Sequence, residues 1–126
     1  LIITSETVCS EYLNDLDSKH ISWIACGKEK IDLKRACSIL AEQFGVTRMA
    51  VVGGGHINAG FLEAGLLDEI SILIGAGIDG RGGESSHRSM AAVFDGLPMK
   101  RSVTPLKLTN VQQFSSDAVW LRYAVK

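Results

Sequence analysis

The chain has 126 residues, 46% of them hydrophobic, and a formal net charge of −1. That length suits one domain with its own core. The near-neutral balance argues against a nucleic-acid surface or a polybasic membrane surface. No apolar run reaches the roughly 18 residues of a membrane span, and no signal peptide is visible. Three cysteines, Cys9, Cys26 and Cys37, form no C-x-x-C. An odd count without that motif favours a reducing compartment over a disulfide framework, and we expect a cytoplasmic protein. His20, His56 and His87 are too dispersed for a metal signature, so no metal site is expected.

The chain opens on LIITS, inside an apolar run and without a methionine. The reading is therefore of the C-terminal part of a longer protein. LIIT (Leu1 to Thr4) is a β-branched run and predicts a strand. Thr7 to Leu16 carries Val8, Tyr12, Leu13 and Leu16 at helical spacing. SWIAC (Ser22 to Cys26) predicts a second strand, closed by Gly27. Asp32 is a good N-cap. Leu33, Cys37, Leu40 and Phe44 then line one helix face, and Gly45 stops the helix.

Arg48 to Val52 reads as a third strand, Gly55 to Gly65 as a short helix and Ile70 to Ile74 as a fourth strand. The last is apolar at consecutive positions, which predicts cover from both sides. The order β-α-β-α-β-α-β predicts a mostly parallel sheet flanked by helices. Gly75 to Ser89, GAGIDGRGGESSHRS, reads as a long polar loop. Leu106 to Phe114 and Ala118 to Val125 are joined by Ser115-Ser116-Asp117 and predict a C-terminal antiparallel hairpin, with Pro105 at a strand start. No linker divides the chain, so residues 1–126 are expected to form a single domain.

Gly53, Gly54 and Gly55 stand between an apolar run and a helix start. Unpaired N–H groups and the helix dipole make such a junction an anion site, and glycine lets a phosphate reach the backbone. Gly53 to Asn58 is thus a candidate phosphate cradle; the alternative is a tight turn that binds nothing. Two better-known motifs fail. Gly55 to Gly60 has P-loop glycine spacing, but Phe61-Leu62 stands where Lys-Ser/Thr is required. A dinucleotide fingerprint needs glycine or alanine at Asn58 and belongs on the first strand of its unit.

VVGGGHINAGFLEAGLLDEISILI, Val51 to Ile74, resembles the dihydrofolate reductase-like reductases. It is most similar to the reductase domain of the riboflavin-biosynthesis deaminase-reductase and its stand-alone relatives. GAGIDGRGG, VFDG (Val93 to Gly96) and AVWLRY (Ala118 to Tyr123) also look like that family's C-terminal half. The resemblance implies a dihydrofolate reductase-like α/β fold lacking its N-terminal part. It implies an NADPH-dependent reductase that moves a hydride to a C=N or C=O carbon of a small-molecule substrate, in a bacterial homodimer.

The cofactor-binding positions it implies are Thr4, Ser5, Gly53, Gly54, Gly55, His56, Ile57 and Asn58, with Thr4 and Ser5 near the adenosine 2′-phosphate. Capping of the next helix is the alternative for those two. Cys26 and Gly27 would flank the adenine. Asp79 and Arg81 would lie on the substrate side with His87, Arg81 holding an anionic group or standing free in solvent. The Gly53–Gly54 peptide would be cis, and a trans bond there would weigh against a dinucleotide site. The family usually carries a glutamate where this chain has Val52, so the ribosyl-pyrimidine substrate stays open. No residue reads as a general acid, and this chain alone is expected to be inactive. A non-catalytic nucleotide-binding or subunit-interaction module is the competing reading.

Overall fold

A computed structural model describes residues 1–78, 93–94 and 103–126. It falls into two compact units, Leu1–Val51 and Val52–Lys126. In the first unit β1 (Ile2–Thr4) and β2 (Trp23–Ala25) pair in parallel, with Ile3 opposite Ile24. Helix α1 (Ser10–Ser18) joins them. Its N-cap, Cys9, makes no side-chain capping bond. Leu16 is its buried residue, and Trp23 Nε1 donates to Asp17 Oδ1 at 2.9 Å, fixing the helix end to β2.

Helix α2 (Leu33–Phe44) has the bounds its sequence signals set. Asp32 accepts a bond from the Arg35 N–H at 3.0 Å, and Gly45 closes the helix at φ 66°. The left-handed region suits glycine because a Cβ crowds the backbone there. Ala36 and Leu40 from this helix meet Ile24 and Cys26 in the core of the unit, with Ile3, Ile39 and Val46 packed around them.

In the second unit α3 (Gly55–Glu63) leads to β3 (Glu69–Ile74), and the hairpin β4 (Leu106–Gln113) and β5 (Val119–Val125) follows. The sheet order is β3-β5-β4, antiparallel throughout, with Ile70 opposite Tyr123 and Leu121 opposite both Ile72 and Val111. Asp117 takes φ 63° in the hairpin turn, and a register shift between Leu108 and Asn110 interrupts β4. Across β3 and β5, Arg122 grips Glu69 with bonds of 2.7 to 3.0 Å, and Trp120 Nε1 donates to Ser71 Oγ at 2.7 Å.

The α/β class and the C-terminal hairpin match expectation, but three details differ. Arg48–Val52 is not a strand: no strand among the described residues pairs with it, and Val51 and Val52 are its only β-branched residues. Parallel pairing is confined, among the described residues, to β1 and β2. β3 instead runs antiparallel to β5, since its partner is a distant segment that local pattern does not reveal. Nor is β3 covered on both faces: Leu73 is 65% exposed and Ile74 51%.

Candidate active site at a glycine-led helix

Helix α3 starts where the glycines end. Gly54 is its N-cap, extended at φ −67° and ψ 177°. The N–H groups of Ile57 and Asn58 both donate to the Gly54 carbonyl, at 3.0 and 3.1 Å. Helix geometry provides no intrahelical acceptor for the Gly55 and His56 N–H groups. These two donors and the positive end of the helix dipole are what an anion placed at this junction would meet.

The glycines differ in what their missing side chains permit. A Cβ on Gly53 would lie 2.9 Å from both Cβ and Cγ2 of Ile57 and 3.0 Å from its Cδ1. Gly53 is therefore bare so that the first turn of α3 can close over it. A Cβ on Gly54 would meet nothing within 4 Å among the described residues. That backbone is open to a ligand.

The structure has no cis peptide among the described residues, so the Gly53–Gly54 bond is trans, contrary to expectation. A non-proline cis bond costs about 3 kcal/mol and persists only where neighbours hold it. The open space around Gly54 offers no such hold. By the criterion set from the sequence, this counts against a dinucleotide at the junction.

The other expected site residues are distributed as follows. His56 is exposed, and Ile57 is 54% exposed with its stem over Gly53. Asn58 is half-buried and its amide is engaged: Nδ2 donates to the Val93 carbonyl at 2.8 Å. Val52, in the position of the family's glutamate, is 91% exposed.

Thr4 and Ser5 belong to the other unit, at the C-terminal end of β1. Neither caps α1, whose N-cap is Cys9. The Ser5 and Thr7 hydroxyls lie 3.0 Å apart, and Thr7 Oγ1 donates to the Lys28 carbonyl at 3.2 Å. The Glu6 N–H donates to the Gly27 carbonyl at 2.8 Å, and the Gly27 N–H returns a bond to Glu6 Oε1 at 3.2 Å. The loops after β1 and β2 are thus locked together at one end of the parallel pair, where open α/β sheets place their ligands. Cys26 is buried there, its thiol pushed above its usual pKa by burial and then by the Asp32 charge. Asp79, Arg81 and His87 lie outside the described residues.

Sequence reasoning missed the Asn58–Val93 bond and the demand of Ile57 on Gly53. The first joins residues 35 positions apart, and nothing local marks it. The second was in reach, because a β-branched residue in a first helical turn crowds the residue before the N-cap. Among the described residues no group of three or more His, Cys, Asp or Glu side chains could hold a metal. No helix among them is long and apolar enough to cross a membrane.

Solved structures share this order of elements. A pyrimidine reductase-like protein from Corynebacterium diphtheriae matches with a TM-score of 0.75 at 19% identity, over 99% of this chain and 49% of that one. RibD from Acinetobacter baumannii matches in two forms, with TM-scores of 0.69 and 0.68 at 18% identity, over 99% of this chain and 31% of RibD. At such identity the likeness establishes the fold. The chain spans about half the length of the first protein and under a third of the second.

The family follows from the sequence itself. The model of the RibD C-terminal domain matches residues 1–120, and the chain belongs to that family.

Proposed function

We propose that this chain, residues 1–126, is the C-terminal part of one reductase domain whose activity is NADPH-dependent reduction of a pyrimidine-type small molecule. The reaction resembles that of 5-amino-6-(5-phosphoribosylamino)uracil reductase. The observation that carries the reading is the family match across both compact units, with its glycine junction open at Gly54.

The trans Gly53–Gly54 peptide apart, the residues present suit a phosphate at this junction in chemistry. Gly54 leaves a bare approach, and the Gly55 and His56 N–H groups donate to phosphate oxygens. Thr4 and Ser5 are the hydroxyls this reading assigns to a 2′-phosphate, and the Ser5 proton, which the structure turns to Thr7 Oγ1, must swing away to reach one. NADPH, when bound, supplies the hydride for a C=N or C=O carbon. The chain's own part is to bind and orient; Val52 offers that site an apolar side chain with no proton to give. A cytoplasmic homodimer, with Asp79 and Arg81 on the substrate side, completes the proposal.

A fluorescence titration tests it, with NADPH and NADH added in parallel to this chain and to its full reading-frame product. Saturable binding with NADPH preferred is the expected result. Absence of binding to both proteins refutes the reductase reading. The second reading, a nucleotide-binding or subunit-interaction module without turnover, is favoured by the trans Gly53–Gly54 bond. Binding by the full product without NADPH oxidation in the presence of a ribosylaminopyrimidine would select it.

A further inference from the structure

Asn58 makes two bonds that belong together. Its backbone N–H donates to the Gly54 carbonyl at 3.1 Å. Its side-chain Nδ2 donates to the Val93 carbonyl at 2.8 Å. Because Val93 offers an acceptor, the amide must present its NH2 group there. One half-buried residue thus links the peptide that opens the glycine junction to a backbone segment 35 positions downstream.

We propose that Asn58 is a positioning residue: it ties the Val93–Phe94 segment to the Gly54 peptide, so that an anion held at the start of α3 tightens that segment. The ligand part rests on the functional reading above; the tie itself does not. The physical path is short. An anion on the Gly55 and His56 N–H groups orders the first turn of α3. That turn holds Gly54 O against Asn58 N, and the same residue carries the donor to Val93. Coupling of this kind is reciprocal, so a fixed Val93–Phe94 segment also favours the anion.

Chymotrypsin reads the tie directly, because Phe94 is a half-buried cleavage residue beside Val93. Phe44, at the end of α2 in the other unit and 48% exposed, serves as the internal reference. Cleavage after each is followed by mass spectrometry in the unsubstituted chain, in Asn58→Asp and in Asn58→Ala, with and without NADPH. Aspartate keeps the shape and suits a helix start, but faces the Val93 carbonyl without a donor. The variants should cleave after Phe94 about two- to fivefold faster relative to Phe44, the factor expected of one partly exposed hydrogen bond. NADPH should slow cleavage after Phe94 in the unsubstituted chain, and this slowing should vanish in both variants. A purely structural role for Asn58 would change the basal rate and leave the slowing by NADPH in place, which overturns the coupling. Equal Phe94 cleavage in all three proteins overturns the tie. If NADPH fails to bind the unsubstituted chain, the coupling fails, while binding to the full reading-frame product still decides the function and the ligand-free comparison still decides the tie.

Discussion

Replacing Gly53 and Gly54 separately by alanine should split stability from binding. At Gly53 the new Cβ lands 2.9 Å from Ile57 Cβ, an atom fixed to the helix backbone. Rotation of the Ile57 side chain does not relieve that contact. Restoring an ordinary separation of 3.4 Å or more requires a shift of about half an ångström between the Gly53 backbone and α3. Overpacking of this kind costs about 1–3 kcal/mol. At roughly 4 °C per kcal/mol, Tm should fall by about 4–12 °C. At Gly54 the same Cβ meets nothing within 4 Å, and φ −67° is open to any residue. Alanine is a poorer N-cap than glycine, but it lowers the entropy of the unfolded chain by about 0.4–1 kcal/mol. The two effects nearly cancel, so Tm should stay within about 2 °C. The Gly54→Ala methyl nonetheless stands where a phosphate would approach. NADPH affinity should drop about tenfold or more, a change of about 1.4 kcal/mol. Differential scanning fluorimetry and an NADPH fluorescence titration on the same preparations decide it. A Tm loss in Gly54→Ala as large as in Gly53→Ala would refute the packing argument. Unchanged NADPH affinity in Gly54→Ala would refute the open-backbone argument.

Gly27→Ala should disrupt the first unit, because its Cβ would lie 2.1 Å from the Lys30 carbonyl oxygen at φ 81°; circular dichroism should show lost structure. Gly45→Ala should cost only about 1 kcal/mol in a urea titration, since φ 66° strains alanine but no atom lies within 4 Å. Iodoacetamide at pH 8, followed by intact mass, should label exposed Cys9 well before buried Cys26. Burial and the Asp32 charge raise the Cys26 pKa, so the fold favours the protonated thiol. The stability this gives is present below the ordinary thiol pKa and lost as pH rises through the folded value, and a urea titration repeated at rising pH should show it. Cys26 labelling ahead of Cys9 would contradict the burial argument.

What the sequence revealed depended on how local the cause was. Helix α2 was legible to the residue because Asp32, the Leu33-Cys37-Leu40-Phe44 face and Gly45 all lie within it. The β4–β5 hairpin was legible for the same reason: turn and strands adjoin. Arg48–Val52 has the composition of a strand, but a strand also needs a neighbour. The direction of β3 was illegible because its hydrogen-bonding partner, β5, begins at Val119. The glycine junction was found as a feature, and half of its reason was missed. One glycine is bare for Ile57 and the next has open space before it, a division visible only once the Cβ positions are built.

The place of β5 in the sheet has a consequence during synthesis. Among the described residues it is the central strand of its sheet, yet it is made after both β3 and β4, which bond to it. Ser71 and Trp120, bonded across β3 and β5, lie 49 residues apart. At about 5–20 residues per second, the ribosome needs about 2–10 s to make that stretch. For that interval the EISILI segment has left the peptidyl-transferase centre with no β5 to receive it. β1 and β2, by contrast, are parted by α1 alone, so both are made well before β3. The nascent chain therefore carries β3 as an apolar segment without its β5 partner until the end of that stretch is made.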